Sequence, residues 1–153
     1  MSPAETARAV VDTNRYMVLA TADAEGRPWS SPVYFAHVGY REFVWVSSPE
    51  ARHSRNIAVR PEVGIAIFDS SVAIGTGQGV YVSAVAGEVE GPDAGRTMGA
   101  FSRRSLLHGG RAWTLDDVRG DSGMRLYRAV AGEYSILAKD GRPDHRIPVE
   151  LGG

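Results

Sequence analysis

The sequence predicts a mainly β (α+β) fold, a small antiparallel barrel of about six to seven strands with peripheral helices. Three observations lead there. Short runs rich in Val, Ile, Tyr, Trp and Phe recur along the chain, separated by turns containing Gly, Pro and Asp. Segments with helix-start residues, Ser2-Pro3, Ser48-Pro49-Glu50 and Asp93, are inserted between some of these runs. With 153 residues, 43% of them hydrophobic and 23% charged, the chain suits one core and a single domain over residues 1–153.

Taken in order, Ser2, Pro3 and Glu5 have the spacing of a capping box, which predicts a first helix from Pro3 to about Arg15. Ala7, Val10, Val11 and Asn14 give it one weakly apolar face to lay on a sheet. At Tyr16 the pattern turns to strand, ending at Asp23-Ala24-Glu25-Gly26, where the glycine suits a positive φ. A second strand spans Pro28 to His37 and a third Phe43 to Ser47, together an antiparallel meander. Ser48-Pro49-Glu50 then opens a helix over Ala51 to Arg60, stopped by Pro61. Val63 to Phe68 is a strand, and Gly75, Gly77 and Gly79 bend the backbone ahead of a long one, Val80 to about Val89. That glycine loop lacks the Lys-Ser/Thr ending of a nucleotide loop, so it reads as a hairpin. Asp93 caps a helix through about Leu107, His108 to Arg111 interrupts it, and Thr114 to Asp117 forms one helical turn. Two final strands, Arg125 to Val130 and Glu133 to Ala138, precede an edge segment at His145 to Val149.

Composition excludes several function classes. Seventeen basic residues against eighteen acidic ones leave a formal charge of −1, too little to hold a nucleic-acid backbone or an anionic membrane. An oligonucleotide-binding barrel is disfavoured on the same ground. The absence of cysteine removes disulfides, thiolate metal sites and cysteine nucleophiles. His37, His53, His108 and His145 lack metal-ligand spacing, so no metal site is expected. The first sixteen residues carry scattered charges and no apolar export segment, and no uncharged run nears the ~20 residues of a membrane span. The expected location is the cytoplasm.

The strongest local signal is the strand-to-helix junction. Ser47 and Ser48 end a strand, and Arg52, His53 and Arg55 follow at the start of a helix. Hydroxyl donors, free helix amides and positive charge within a few residues can seat a phosphate. The plainer alternative is that the two serines cap the helix while the arginines are solvated.

The ordered set Leu19-Ala-Thr21, Asp23 to Pro28, Ser30-Ser-Pro-Val33, Val44-Trp-Val-Ser47, Arg52-His-Ser-Arg-Asn-Ile57, Pro61-Glu-Val63 and Gly79-Val-Tyr-Val resembles the pyridoxamine 5′-phosphate oxidase-like, split-barrel flavin-binding family. Each motif is loose alone; order and spacing give the resemblance its specificity over about Tyr16 to Val89. It implies a split β-barrel of the FMN-binding type and a homodimer with the flavin in an interface groove. Carried over by position, it implies phosphate contacts from Ser47, Ser48, Arg52 and His53, with His53 where lysine is usual. Ser31, Pro32 and Val33 would line the flavin ring through their backbone, and Gln78 would reach the ring or ribityl chain.

Departures narrow the function. Ser31 and Ala36 stand where true oxidases carry arginine and lysine, and the substrate-phosphate motif is not evident in Asp140 to Arg146. Vitamin B6 oxidation is therefore not expected. The expected function is an FMN-dependent oxidoreductase acting on a small molecule, with the flavin carrying the hydride and no catalytic side chain assigned. The alternatives are a reductase using the deazaflavin coenzyme F-420, which the arginine-heavy composition favours, and a non-catalytic flavin- or haem-binding protein. Trp113, after Gly109-Gly110, is a candidate pocket wall.

Overall fold

Ser2 Oγ accepts the Glu5 N–H at 3.1 Å and Glu5 Oε2 accepts the Ser2 N–H at 3.3 Å, so α1 (Pro3–Thr13) begins on the reciprocal cap its sequence encodes. It ends two residues before Arg15, at an extended Asn14. The computed structural model describes residues 1–152; Gly153, the last residue of the expected domain, lies outside the described residues.

Eight antiparallel strands follow: β1 (Tyr16–Ala22), β2 (Pro28–Tyr34), β3 (Ala36–Val38), β4 (Glu42–Ser47), β5 (Glu62–Phe68), β6 (Gly79–Glu88), β7 (Arg125–Leu137) and β8 (Arg146–Val149). Their order is β2-β1-β5-β6-β7-β4-β3, with β8 paired to β7 off that path. The sheet curls into a split barrel, as the strand pattern and the resemblance led us to expect. Helices α2 (Arg52–Val59) and α3 (Asp93–Leu107) and a 3-10 turn at Leu115–Val118 complete the described fold. No helix among the described residues is long and apolar enough to cross a membrane.

Three expectations are corrected. The strand expected over Pro28 to His37 breaks at Phe35, which is fully buried. Its N–H donates to Arg15 O and its carbonyl accepts from Arg104, so the chain can leave β1 and begin pairing with β4. The meander is reduced: β2 pairs with β1, but only Ala36 and His37 of the expected second strand lie opposite β4, whose other edge pairs with β7, Phe43 opposite Ala129 and Trp45 opposite Tyr127. The two expected C-terminal strands are one. Between Ala84, opposite Ala131, and Ser83, opposite Glu133, Gly132 is an extra residue, a bulge that lets β7 keep pairing with β6 where a turn was expected. In addition, Asp93 is the first residue of α3 rather than its cap. Its carboxylate bonds Arg128, which also holds Glu42, and Arg96 grips Glu42 with two bonds.

The core has two parts. Met17, Leu19, Phe43, Trp45, Ile65 and Ile67 fill the barrel, closed at one end by Ala7, Val10 and Val11 of α1. On the other side of β4, Val44 and Leu126 pack against Met98 and Phe101 of α3 and Val118 of the 3-10 turn. Strand β4 is thus buried on both faces, which accounts for its unbroken apolar run Phe43-Val44-Trp45-Val46.

Candidate functional site

Where these two layers part, a cavity of about 570 Å³ opens, within the range of small-molecule sites. One wall is near the strand-to-helix junction: Pro32 and Val33 of β2, Ser47 of β4 and His53 of α2. The other is assembled from distant sequence: Phe101 and Ser105 of α3, then His108, Gly110 and Trp113. Tyr34 lies between them, and exposed Arg15 and Tyr16 stand at the mouth. A broader groove of about 760 Å³ runs across the outer sheet face between β1 and β8, and none of the expected site residues lines it.

On the near wall, Ser47 Oγ and His53 Nε2 are 2.8 Å apart. Burial pulls the His53 pKa down, so the imidazole is neutral near pH 7. Ser47 is therefore committed to His53. Ser48 Oγ accepts the Glu50 N–H at 3.1 Å, within a turn closed by Ala51 N–H to Ser48 O. Neither serine caps α2, whose N-cap Ala51 offers no side-chain acceptor to the first helix amides. The Arg52 guanidinium lies 4.3 Å from the centre of the Trp29 ring, and among the described residues neither Arg52 nor Arg55 forms an ion pair. The serine caps thus give way to open amides beside cations without ion pairs among the described residues.

Not all the expected residues meet here. Pro32, Val33, Ser47 and His53 line the cavity; Ser48 and Arg52 lie beside it on the turn and at the helix start; Ser31, half-buried opposite Leu19, is off the lining. Gln78 lies elsewhere. Its Oε1 accepts the Gly79 and Leu137 N–H groups, each at 2.9 Å, and its Nε2 donates to Leu137 O at 3.0 Å, which ties the start of β6 to β7. It borders a separate depression under the 69–78 hairpin.

Arg104 sets the far wall. Its guanidinium donates to Phe35 O at 2.7 Å, Asn14 O at 2.8 Å and Val11 O at 3.1 Å, and lies over the Phe35 ring. One side chain thus ties α3 to the C-terminal carbonyls of α1 and to the break between β2 and β3. Beyond α3 the chain turns sharply. Gly110 N–H donates to Ser105 O at 2.7 Å, and a Cβ at Gly110 would fall 2.5 Å from Ser105 Oγ. The close approach requires glycine and directs Trp113 inward, where its backbone N–H donates to Ser102 Oγ and its ring meets Phe101 edge-on. Tyr34 OH lies 2.7 Å from His108 Nδ1.

Tyr34, Phe101 and His108 were not singled out in the sequence. Alternation along β2 puts Tyr34 on the same face as Pro32, a signal for that residue. His108 and Phe101 reach the site only through the placement of α3, for which no local motif speaks.

A flavin needs a flat apolar wall for its ring and donors plus positive charge for its phosphate. Pro32, Val33 and Val46 supply an apolar edge for the first; the α2 amides and Arg52 supply the second, so the donor set fits. Buried Ala36 and half-buried Ser31 add no charge, so Arg52 and Arg55 are the basic side chains at the junction itself.

Residues 3–133 match the family pattern described as pyridoxamine 5′-phosphate oxidase. The chain belongs to the pyridoxamine 5′-phosphate oxidase family. Solved structures share its fold. A haem-binding protein from Mycobacterium smegmatis is 23% identical, with a TM-score of 0.74 over 97% of this chain and 58% of that one. The haem-storage protein HutZ of Vibrio cholerae is 23% identical, with a TM-score of 0.70 over 95% of this chain and all of its own length. ChuZ of Campylobacter jejuni is 15% identical, with a TM-score of 0.74 over 95% of this chain and 58% of that one. The family member described here therefore spans little more than half the length of the mycobacterial and Campylobacter proteins. No curated protein is similar enough to count as a match.

Proposed function

We propose that the protein is a flavin-dependent oxidoreductase with FMN as its cofactor, held in the cavity between the β4–α2 junction and the α3 wall. One observation carries this reading: the junction opens onto an aromatic-lined cavity instead of being packed shut. The α2 amides and Arg52 hold the phosphate, and Pro32 and Val33 lie along the ring edge. When bound, the flavin supplies hydride transfer; the chain's own residues bind it, orient it and exclude water. A cytoplasmic homodimer, with the cavity completed by the second copy, belongs to the same proposal. Sedimentation at micromolar concentration is expected to give the dimer mass, and a monomer would leave the groove one-sided. The protein as purified, or after FMN addition, is expected to show a bound flavin spectrum that NAD(P)H or another reductant bleaches and an acceptor restores. A protein that takes up no flavin overturns the proposal; one that binds flavin yet turns over no acceptor is a carrier. Tight binding of coenzyme F-420 in place of FMN would make it a deazaflavin reductase on the same site.

Haem binding is the second reading. It is favoured by the haem-binding and haem-storage proteins among its structural relatives and by the two neutral imidazoles, His53 and His108, facing one cavity. A haemin titration that yields a shifted Soret band, lost on substituting one of these histidines, would support it over the flavin.

A further inference from the structure

The far wall has chemistry that cofactor binding does not use. His108 follows the last turn of α3, its backbone N–H donating to Arg104 O at 3.0 Å, so its backbone is held at the helix end. Burial and the charges of Arg104 and Arg15 pull its pKa down, so the ring is neutral near pH 7. Burial raises the pKa of Tyr34, which keeps its phenol protonated. The phenol and Nδ1 lie 2.7 Å apart, and with the phenol as the donor a neutral imidazole carries its proton on Nε2. Among the described residues nothing accepts that Nε2 proton. Around it the rings alternate edge to face, Tyr34 on Phe101 at 5.7 Å and Phe101 on Trp113 at 5.5 Å. No aspartate or glutamate lines the cavity, while Arg15 at its mouth has no ion pair among the described residues. With no carboxylate to pair with a cation and a positive charge at the mouth, such a site favours an electron-rich oxygen on a flat apolar body.

We propose that this wall is the substrate subsite and takes a planar aromatic carboxylate, its ring against Tyr34, Phe101 and Trp113 and one oxygen accepting a hydrogen bond from His108 Nε2. The proposal deepens the flavin reading and rests on it, placing the substrate across the cavity from the cofactor junction. Tyr34 acts through His108 as a positioning residue, holding the tautomer.

Calorimetric titration of the purified protein, with and without FMN, tests this using 2-naphthoate and its cationic counterpart 2-naphthylmethylammonium. Naphthoate is expected to bind at least about tenfold more tightly than the cation, the span of one charge-assisted hydrogen bond. His108→Leu should remove that preference, His108→Gln, which retains an N–H donor, should restore much of it, and Tyr34→Phe should reduce it by a smaller factor. Long-range ¹H–¹⁵N spectra, which depend on no variant folding, should show His108 as the Nε2–H tautomer in the wild-type protein. Equal affinity for the two probes, naphthoate binding untouched by His108→Leu in a protein with a normal melting profile, or an Nδ1–H tautomer would overturn the subsite. FMN binding without naphthoate preference defeats the subsite alone, whereas naphthoate preference without FMN binding defeats the flavin reading alone.

Discussion

The near wall of the cavity comes from one stretch of chain, Pro32 to His53, whereas the far wall, Phe101 to Trp113, is brought to it from some fifty residues away in sequence by two arginine-centred anchors. Arg96 and Arg128 fasten the first half of α3 to Glu42, and Arg104 fastens the second half to α1 and Phe35. The near wall is held by backbone pairing and a helix start, so its geometry follows local rules. The far wall depends on a few side chains reaching buried carbonyls, so it is the more easily broken. A site built this way can keep its cofactor junction constant while varying what faces it.

The largest break is expected at Arg104. Arg104→Met leaves the carbonyls of Phe35, Val11 and Asn14 without their donor, at a cost of about 3 kcal/mol in urea unfolding. A loss below about 0.5 kcal/mol would show that water replaces the guanidinium and that the anchor is dispensable. Gly110→Ala comes next, because its Cβ meets Ser105 Oγ, which is already bonded to Arg111 O. Overpacking there is expected to destabilise by about 1–3 kcal/mol and to shift the Trp113 fluorescence. On the near wall the pattern should invert: Arg52→Ala weakens FMN binding by about 1.5–3 kcal/mol while changing fold stability by less than about 0.5 kcal/mol. An unchanged FMN dissociation constant in that variant would remove Arg52 from the site.

The smallest effect concerns pH and touches both walls. His53 and His108 have folded pKa values below those of the unfolded chain, so near pH 6.5 the unfolded state binds more protons than the folded one. Stability therefore falls as pH drops through the unfolded pKa and levels off below the folded pKa. Substituting either histidine with glutamine should flatten part of the slope between about pH 7 and 5 in chemical unfolding curves. A slope of the opposite sign would mean that these rings gain rather than lose protons on folding.

The same contrast explains what the sequence disclosed. Helix α1 was legible because Ser2 and Glu5 encode their cap directly, and β1, β4, β5 and β6 because their apolar residues match strand spacing. The β4–α2 junction was legible as chemistry because hydroxyl and basic residues there lie within a few positions. The break at Phe35 was hidden, since the signal for it is Arg104, far along the chain. Joining of the last two strands was hidden too, because Ala131-Gly132 reads equally as a turn or a bulge until β6 is placed opposite. His108 gave no sign, its partner Tyr34 lying on another element. Gln78 shows the opposite case, a polar residue that suits a ligand by position and whose amide bonds its own sheet edge within the chain.

The most direct test of the two-walled cavity follows FMN into the protein by ¹H–¹⁵N spectroscopy, reading the indole N–H of Trp113 on one wall and the imidazole nitrogens of His53 on the other. Both are expected to shift along one saturation curve with a single dissociation constant, while the indole of Trp45, sealed in the barrel, stays in place. FMN that leaves both walls unmoved, or that shifts His53 alone, would contradict the account.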